Sequence, residues 1–174
     1  MMNSHWFGRT LSKREEYAGK EEFVSLFERE RANLWRLAWL LTANSEAAKQ
    51  CVLRAFRECT ASSSVSKDWI LTWTRRVVVR NAIRLVMGID GQSFVNTDDN
   101  ANDGSIASVS NDWLDEIVEV GSIVDLPQLD RFVFVLCILE RYSNHDCALL
   151  LGRSPREINE AQQRVEKAAR EMSR

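Results

Sequence analysis

The stretch YSNHDCALLLGRSPREINEAQQRV, residues 142–165, decides the reading of this chain. Ser143 followed by Asp146 marks a helix start with a capping-box arrangement, and the apolar run CALLL ends at Gly152, a residue suited to a helix C-terminus. Ser154, Pro155 and Glu157 then give a second start: cap, first-turn proline, and a glutamate three residues after the cap. Ile158, Ala161, Val165, Ala168 and Met172 recur at helical spacing and form one apolar face. The spacing predicts helix, tight turn, helix, and the turn LLGRS has the length a helix-turn-helix needs.

The outer face of the last helix carries Arg156, Glu157, Asn159, Glu160, Gln163, Arg164 and Lys167. Arg156, Asn159, Gln163, Arg164 and Lys167 suit base edges or phosphates, and Glu160 can accept from cytosine N4. From Ser154 to Met172, however, the four cations Arg156, Arg164, Lys167 and Arg170 face the four acids Glu157, Glu160, Glu166 and Glu171. The electrostatic attraction that supplies most duplex affinity is therefore nearly absent from this helix. Capping explains Glu157; it does not explain Glu160 or Glu166.

Upstream, Leu126-Pro127 is expected to open a helix with proline in its first turn. LDRFVFVLCILE, residues 129–140, is apolar on nearly all sides and reads as a buried central helix. WLDEIVEV, 113–120, reads as a short amphipathic helix. GIDGQSFVNTDDNANDGSIASVSND, 88–112, is rich in Gly, Ser, Asn and Asp; it buries too little apolar surface to offset its chain entropy and reads as a flexible acidic linker. Charge follows the same divisions. Residues 1–87 hold fifteen Lys+Arg and nine Asp+Glu, 88–125 hold no cation and nine acids, and 126–174 hold eight and seven.

Before the linker, Phe23, Leu26, Phe27, Leu34, Leu37, Ala38 and Leu41 form one face of a first helix. Asn44 is the expected cap of a second, with a stripe of Ala48, Cys51, Val52, Ala55, Phe56 and Cys59. TASSSVSK, 60–67, reads as a loop and Asp68 as the cap of a third helix reaching Met87. That third helix, WILTWTRRVVVRNAIRL, sets Arg76, Arg80 and Arg84 four residues apart, with Arg75 beside them and Trp69 and Trp73 one turn upstream. Like charges at this spacing oppose one another. An anionic partner would reverse the cost, and arginines beside aromatic rings suit single-stranded nucleic acid, where cations meet phosphates and rings stack on bases. The competing reading is plainer: tryptophans in the core and arginines on a solvated face.

The prediction is an all-α chain with a tail over 1–19, a helical module over 20–87, the linker over 88–112 and a helix-turn-helix module over 113–174. A net charge of −2 does not announce a nucleic-acid partner by itself. No apolar run is long enough to span a membrane, and MMNSHWFGRT has no signal-peptide core, so the expected location is cytoplasmic. Cys51, Cys59, Cys137 and Cys147 form no CxxC pair and read as buried free thiols, and no metal or cofactor is expected. No nucleophile or base gathers around His5 or His145.

The order of these pieces resembles the extracytoplasmic-function sigma factors, the small members of the sigma-70 family. LWRLAWLLTANSEAAKQCVLRAF is similar to their second conserved region and WILTWTRRVVVRNAIRL to its continuation, which in the family binds and melts the downstream promoter element. The segment from Leu126 to Arg170 resembles the fourth region, whose helix-turn-helix reads the upstream element. The resemblance implies a non-catalytic promoter-specificity subunit of bacterial RNA polymerase. It implies contacts from Gln50, Leu53, Arg54, Phe56 and Arg57 to the polymerase clamp, and from Trp69, Trp73, Arg75, Arg76, Arg80 and Arg84 to melted DNA. The second module would meet the polymerase flap and upstream promoter DNA through Arg156, Asn159, Glu160, Gln163, Arg164 and Lys167. An anti-sigma protein would be a partner.

Departures from the family pattern fall on contact faces. Lys49, Gln50, Val52, Leu53 and Arg54 stand where the family shows an acidic pair and Val-Gln-Glu. Arg76 and Arg80 replace Asn and Asp, and Glu157, Ile158, Asn159, Glu160 and Ala161 replace a Thr-Val-Lys-Ser-Arg run. Two alternatives stay open: a degenerate sigma-like protein that binds a protein partner without opening promoters, and a plain helix-turn-helix regulator.

Overall fold

A computed structural model describes residues 17–62, 64–88 and 123–172. These residues fold into helices and form no strand; an isolated antiparallel bridge joins Tyr17 to Ser66. The chain is all-α, as its periodicity predicts. Residues 89–122, which hold nearly all of the expected linker and the helix expected over 113–120, lie outside the described residues, as does most of the N-terminal tail, His5 included.

Three helices make the first module: α1 (Lys20–Thr42), α2 (Ser45–Thr60) and α3 (Ile70–Met87). Every apolar position expected on the inner face of α1 is buried. Asn44 caps α2 as expected, its side chain accepting the Ala47 N–H at 2.9 Å. The stripe of α2 is small where it meets α1 and α3: Ala48, Cys51, Ala55 and Cys59 are all fully buried, while Val52 and Phe56 flank it, partly covered. The Cys51 thiol donates to the Val78 carbonyl at 3.2 Å, and burial pushes that thiol up to about 12. The start of α3 differs from expectation. Lys67–Trp69 form a 3-10 turn and Trp69 takes the cap position with no side-chain cap bond, so Asp68 lies within the turn. Its carboxylate still sits at the end of the helix that favours negative charge.

The second module contains α4 (Gln128–Val133), α5 (Asn144–Leu151) and α6 (Pro155–Met172). Helix α4 begins one residue later than the sequence suggests, with Pro127 preceding its first turn. It runs on as a π-helix over Phe134–Leu139, the wider winding being visible in the Glu140 N–H to Val135 C=O bond of 2.9 Å. The winding rotates the end of the run out of the core. Phe132, Val133, Val135 and Leu136 are buried, but Ile138 and Leu139 reach the surface. Ser143 caps α5, accepting the Asp146 N–H at 3.1 Å. Ser154 and Glu157 cap α6 reciprocally: the Ser154 N–H donates to Glu157 Oε2 at 2.9 Å and the Glu157 N–H to Ser154 Oγ at 3.3 Å.

Gly152, at φ +60°, makes the corner between α5 and α6. A Cβ there would meet nothing within 4 Å, so Gly152→Ala isolates the backbone term. It is expected to destabilise the fold by about 1 kcal/mol in urea unfolding without altering its helicity.

The two modules share one hydrophobic core, in which Phe23 and Val78 of the first are continuous with Phe132, Leu136 and Leu151 of the second. Helix α4 and its π continuation lie against α1, and α5 lies against α3. This contact fixes the faces of α3 that remain open. Among the described residues, no helix is long and apolar enough to cross a membrane.

Candidate nucleic-acid interface

Helix α3 has no acidic residue and four arginines, so its exposed faces are set by what holds each guanidinium. Its packed face carries Thr74, Val77, Val78, Asn81, Ala82 and Leu85. Arg75, Val79 and Ile83 follow a neighbouring stripe, on which Val79 and Ile83 are also buried. Arg75 is withdrawn from the outer face. Its Nε donates to Glu140 Oε2 at 2.9 Å and its Nη2 to Glu140 Oε1. Glu140, at the end of the π-helix, has a side chain only 7% exposed. This two-pronged pair joins the modules, and hydrogen bonding to Glu140 raises the Arg75 guanidinium further above its ordinary range. The pair edges a cleft of about 420 Å³ lined also by Asn33, Leu37, Ile123 and Leu139.

The remaining stripe runs Trp69, Trp73, Arg76, Arg80, Arg84. Trp69 is 63% exposed and Trp73 37%, so neither is core. Arg80 bonds to Glu58 of α2, and Asn81 donates to the other oxygen of that carboxylate at 3.4 Å. Arg76 is exposed, with the half-buried Tyr142 phenol beside it; burial raises that phenol and the Arg76 charge opposes the rise. Arg84 is exposed and makes no ion pair among the described residues. Arg76 and Arg84 are two turns apart, about 12 Å along the axis. The result is an open strip with two indole rings at one end and two outward cations along it. Rings of this kind stack on unpaired bases, and a row of cations can follow a phosphate backbone.

The surface of α5 and α6 is electrostatically quieter. Arg164 turns back to α4, its Nε and Nη2 donating to Asp130 at 3.0 and 2.6 Å. Arg156 is tied to Glu160 at 2.8 Å along the same helix face, and Arg153 reaches Glu157 at 3.5 Å. Asn159 Oδ1 accepts from Asn144 of α5 at 2.6 Å. Glu166 accepts from Gln162 at 3.0 Å, which gives that carboxylate a local partner the sequence does not suggest. Gln163 and Lys167 are exposed on the outer face. Arg164→Ala is expected to cost about 1 kcal/mol of stability, because Asp130 loses its partner, while changing duplex affinity little; urea unfolding and a duplex titration on one preparation read the two effects.

On α2, Gln50 and Arg57 are exposed and Leu53 and Arg54 half-buried. Phe56 faces inward instead, its ring meeting Phe27 edge-on at 5.1 Å. Of the residues expected on contact surfaces, the 3-10 turn and α3 therefore present Trp69, Trp73, Arg76 and Arg84 along one strip. Arg75, Arg80, Arg156 and Arg164 are drawn into ion pairs within the chain, and Phe56 packs inward.

Glu58, Asp130 and Glu140 are the residues that sequence reasoning leaves out. A signal for two of them exists. Asp130 and Glu140 are isolated acids in the apolar run LDRFVFVLCILE, and a carboxylate that must be buried needs a cation. Neither family models nor curated proteins give a match to this chain.

Proposed function

We propose that this chain is a promoter-specificity subunit of bacterial RNA polymerase of the extracytoplasmic-function sigma type, with α3 as its main contact to melted promoter DNA. The observation that carries the reading is the exposed Trp69–Trp73–Arg76–Arg84 strip on the helix that follows the α1–α2 hairpin. Support comes also from the order of the parts: a three-helix module first, a capped helix-turn-helix second. In this role the strip binds the displaced strand by stacking and phosphate contact. Gln50, Leu53, Arg54 and Arg57 on α2 form the contact to the polymerase clamp. The second module, in which Arg153, Arg156 and Arg164 are paired within the chain, contributes less to duplex affinity than its shape suggests. The subunit brings no bond-making chemistry; its work is to position the polymerase and hold a single strand.

A second reading has its own observation. The internal pairing of Arg156 and Arg164 favours a sigma-like protein that binds a protein partner, such as an anti-sigma factor, without opening DNA. Affinity purification of the chain from its host lysate separates the two. Recovery of the polymerase subunits supports the first. Recovery of one small partner with no polymerase supports the second.

A further inference from the structure

Cys137 and Cys147 are ten residues apart and match no short-spaced cysteine motif, yet their sulfurs lie 2.8 Å from each other. That is closer than the roughly 3.5–4.0 Å at which even nonbonded carbon atoms settle. A disulfide bond is about 2.05 Å long, so the sulfurs would need to close by less than about 1 Å. Cys147 is fully buried on α5 and Cys137, on the π-helix, is half-buried. No third His, Cys, Asp or Glu joins them in a metal-binding group among the described residues, so the geometry suits covalent pairing better than metal ligation. The other two cysteines behave differently: Cys51 and Cys59 are fully buried in the first module, and burial pushes their thiols up to about 12 and about 11.

We propose that Cys137 and Cys147 form a peroxide-oxidisable pair whose disulfide pins the loop carrying Glu140. Cys137 is the attacking sulfur, being the one that reaches the surface. The hydrogen bond between the sulfurs lowers its thiol, while the same bond and burial raise Cys147. The Cys137 thiolate attacks one oxygen of the peroxide, the O–O bond breaks, and hydroxide leaves, giving a sulfenic acid. The Cys147 sulfur then attacks that sulfur, the S–O bond breaks, and the Cys147 proton leaves with the departing hydroxide as water. Two thiols lose two electrons, the peroxide gains them, and two waters form. A dithiol reverses the change by thiol–disulfide exchange.

The bond would close a loop that contains Glu140, Arg141 at φ +58°, Tyr142 and the Ser143 cap. Glu140 is the residue that holds Arg75 from the other module. Its loop is also fastened by the Glu140 N–H to Val135 and Tyr142 N–H to Leu136 bonds, both 2.9 Å. A covalent link at its base removes the opening motions that expose those amides.

The test uses the full native chain. Hydrogen peroxide treatment, alkylation under native conditions, and peptide mass mapping should show the peptides of Cys137 and Cys147 linked within one chain. The chain should be lighter by two hydrogen atoms, and Cys51 and Cys59 should be recovered as thiols after denaturation. Amide exchange at Glu140 and Tyr142 should slow by roughly tenfold or more in the oxidised form and return to its starting rate after dithiothreitol. Cys147→Ser should leave Cys137 as a sulfenic acid that a dicarbonyl probe captures; because Cys147 is fully buried, the wild-type mapping decides if this variant does not fold. A sulfinic acid on Cys137 without linkage, a bond to Cys51, Cys59 or another chain, or four unmodified thiols would each overturn the assignment.

Discussion

Arg75→Ala is expected to lower the unfolding free energy by about 3 kcal/mol, because it leaves the nearly buried Glu140 carboxylate with no cation. The figure is set at the low end for a broken buried pair, since the Arg75 side chain is itself 32% exposed. Glu140→Ala is expected to cost less, as the orphaned guanidinium can turn toward water. Replacing both with methionine should recover most of the loss, since the desolvation of two charges disappears with their attraction. Urea unfolding of the four proteins measures all of this. A wild-type chain with one continuous core should unfold in a single transition, and Arg75→Ala should move the midpoint. Equal stability of Arg75→Ala and wild type would mean that the pair does not hold the modules together.

The second large effect is on binding. Trp73→Ala combined with Arg76→Ala is expected to weaken a single-stranded oligonucleotide by roughly tenfold to a hundredfold, since one stacked base is worth about 1–3 kcal/mol. Arg84→Ala should reduce the slope of log affinity against log salt by about 0.7, the share of one phosphate contact on a single strand. Arg80→Ala should do much less, because Glu58 already holds that guanidinium. This ordering distinguishes the proposed strip from a general basic surface, on which all the arginines would count alike. Fluorescence anisotropy at several salt concentrations reads the affinities and slopes together. Identical salt slopes for all the arginine variants would remove α3 from the DNA-binding account.

The helices and caps were legible because they are local. The stripes of α1 and α6 repeat every three or four residues, and Asn44, Ser143 and Ser154 stand where cap oxygens are needed. The outer faces were less legible because a surface arginine announces its charge and not its partner. Arg75 reads as a contact to DNA until Glu140, 65 residues away, is placed beside it. Arg164 reads the same way until Asp130 appears behind it. The π-helix hides for a related reason: FVFVLCIL is apolar throughout, so its pattern carries no period that a widened turn could disturb. The same featureless run concealed the approach of Cys137 to Cys147. The indole pair was ambiguous in principle, because tryptophans four apart mark a core face as readily as a stacking platform. Their exposure at the uncovered end of α3 removes that ambiguity.

The ion pairs also bear on how the proposed subunit works. In the proposed role the two modules reach separate surfaces of the polymerase, so the Arg75–Glu140 link has to open. Its loss is offset only if the polymerase supplies new partners to both side chains.

The most direct test is promoter opening by the purified chain with core RNA polymerase from its host, read by fluorescence of a base analogue placed in the downstream element. Fluorescence is expected to rise only when both the chain and the core enzyme are present, and to fall to background with Trp73→Ala and Arg76→Ala together. A chain that associates with no core polymerase and leaves the duplex closed would contradict the proposed function.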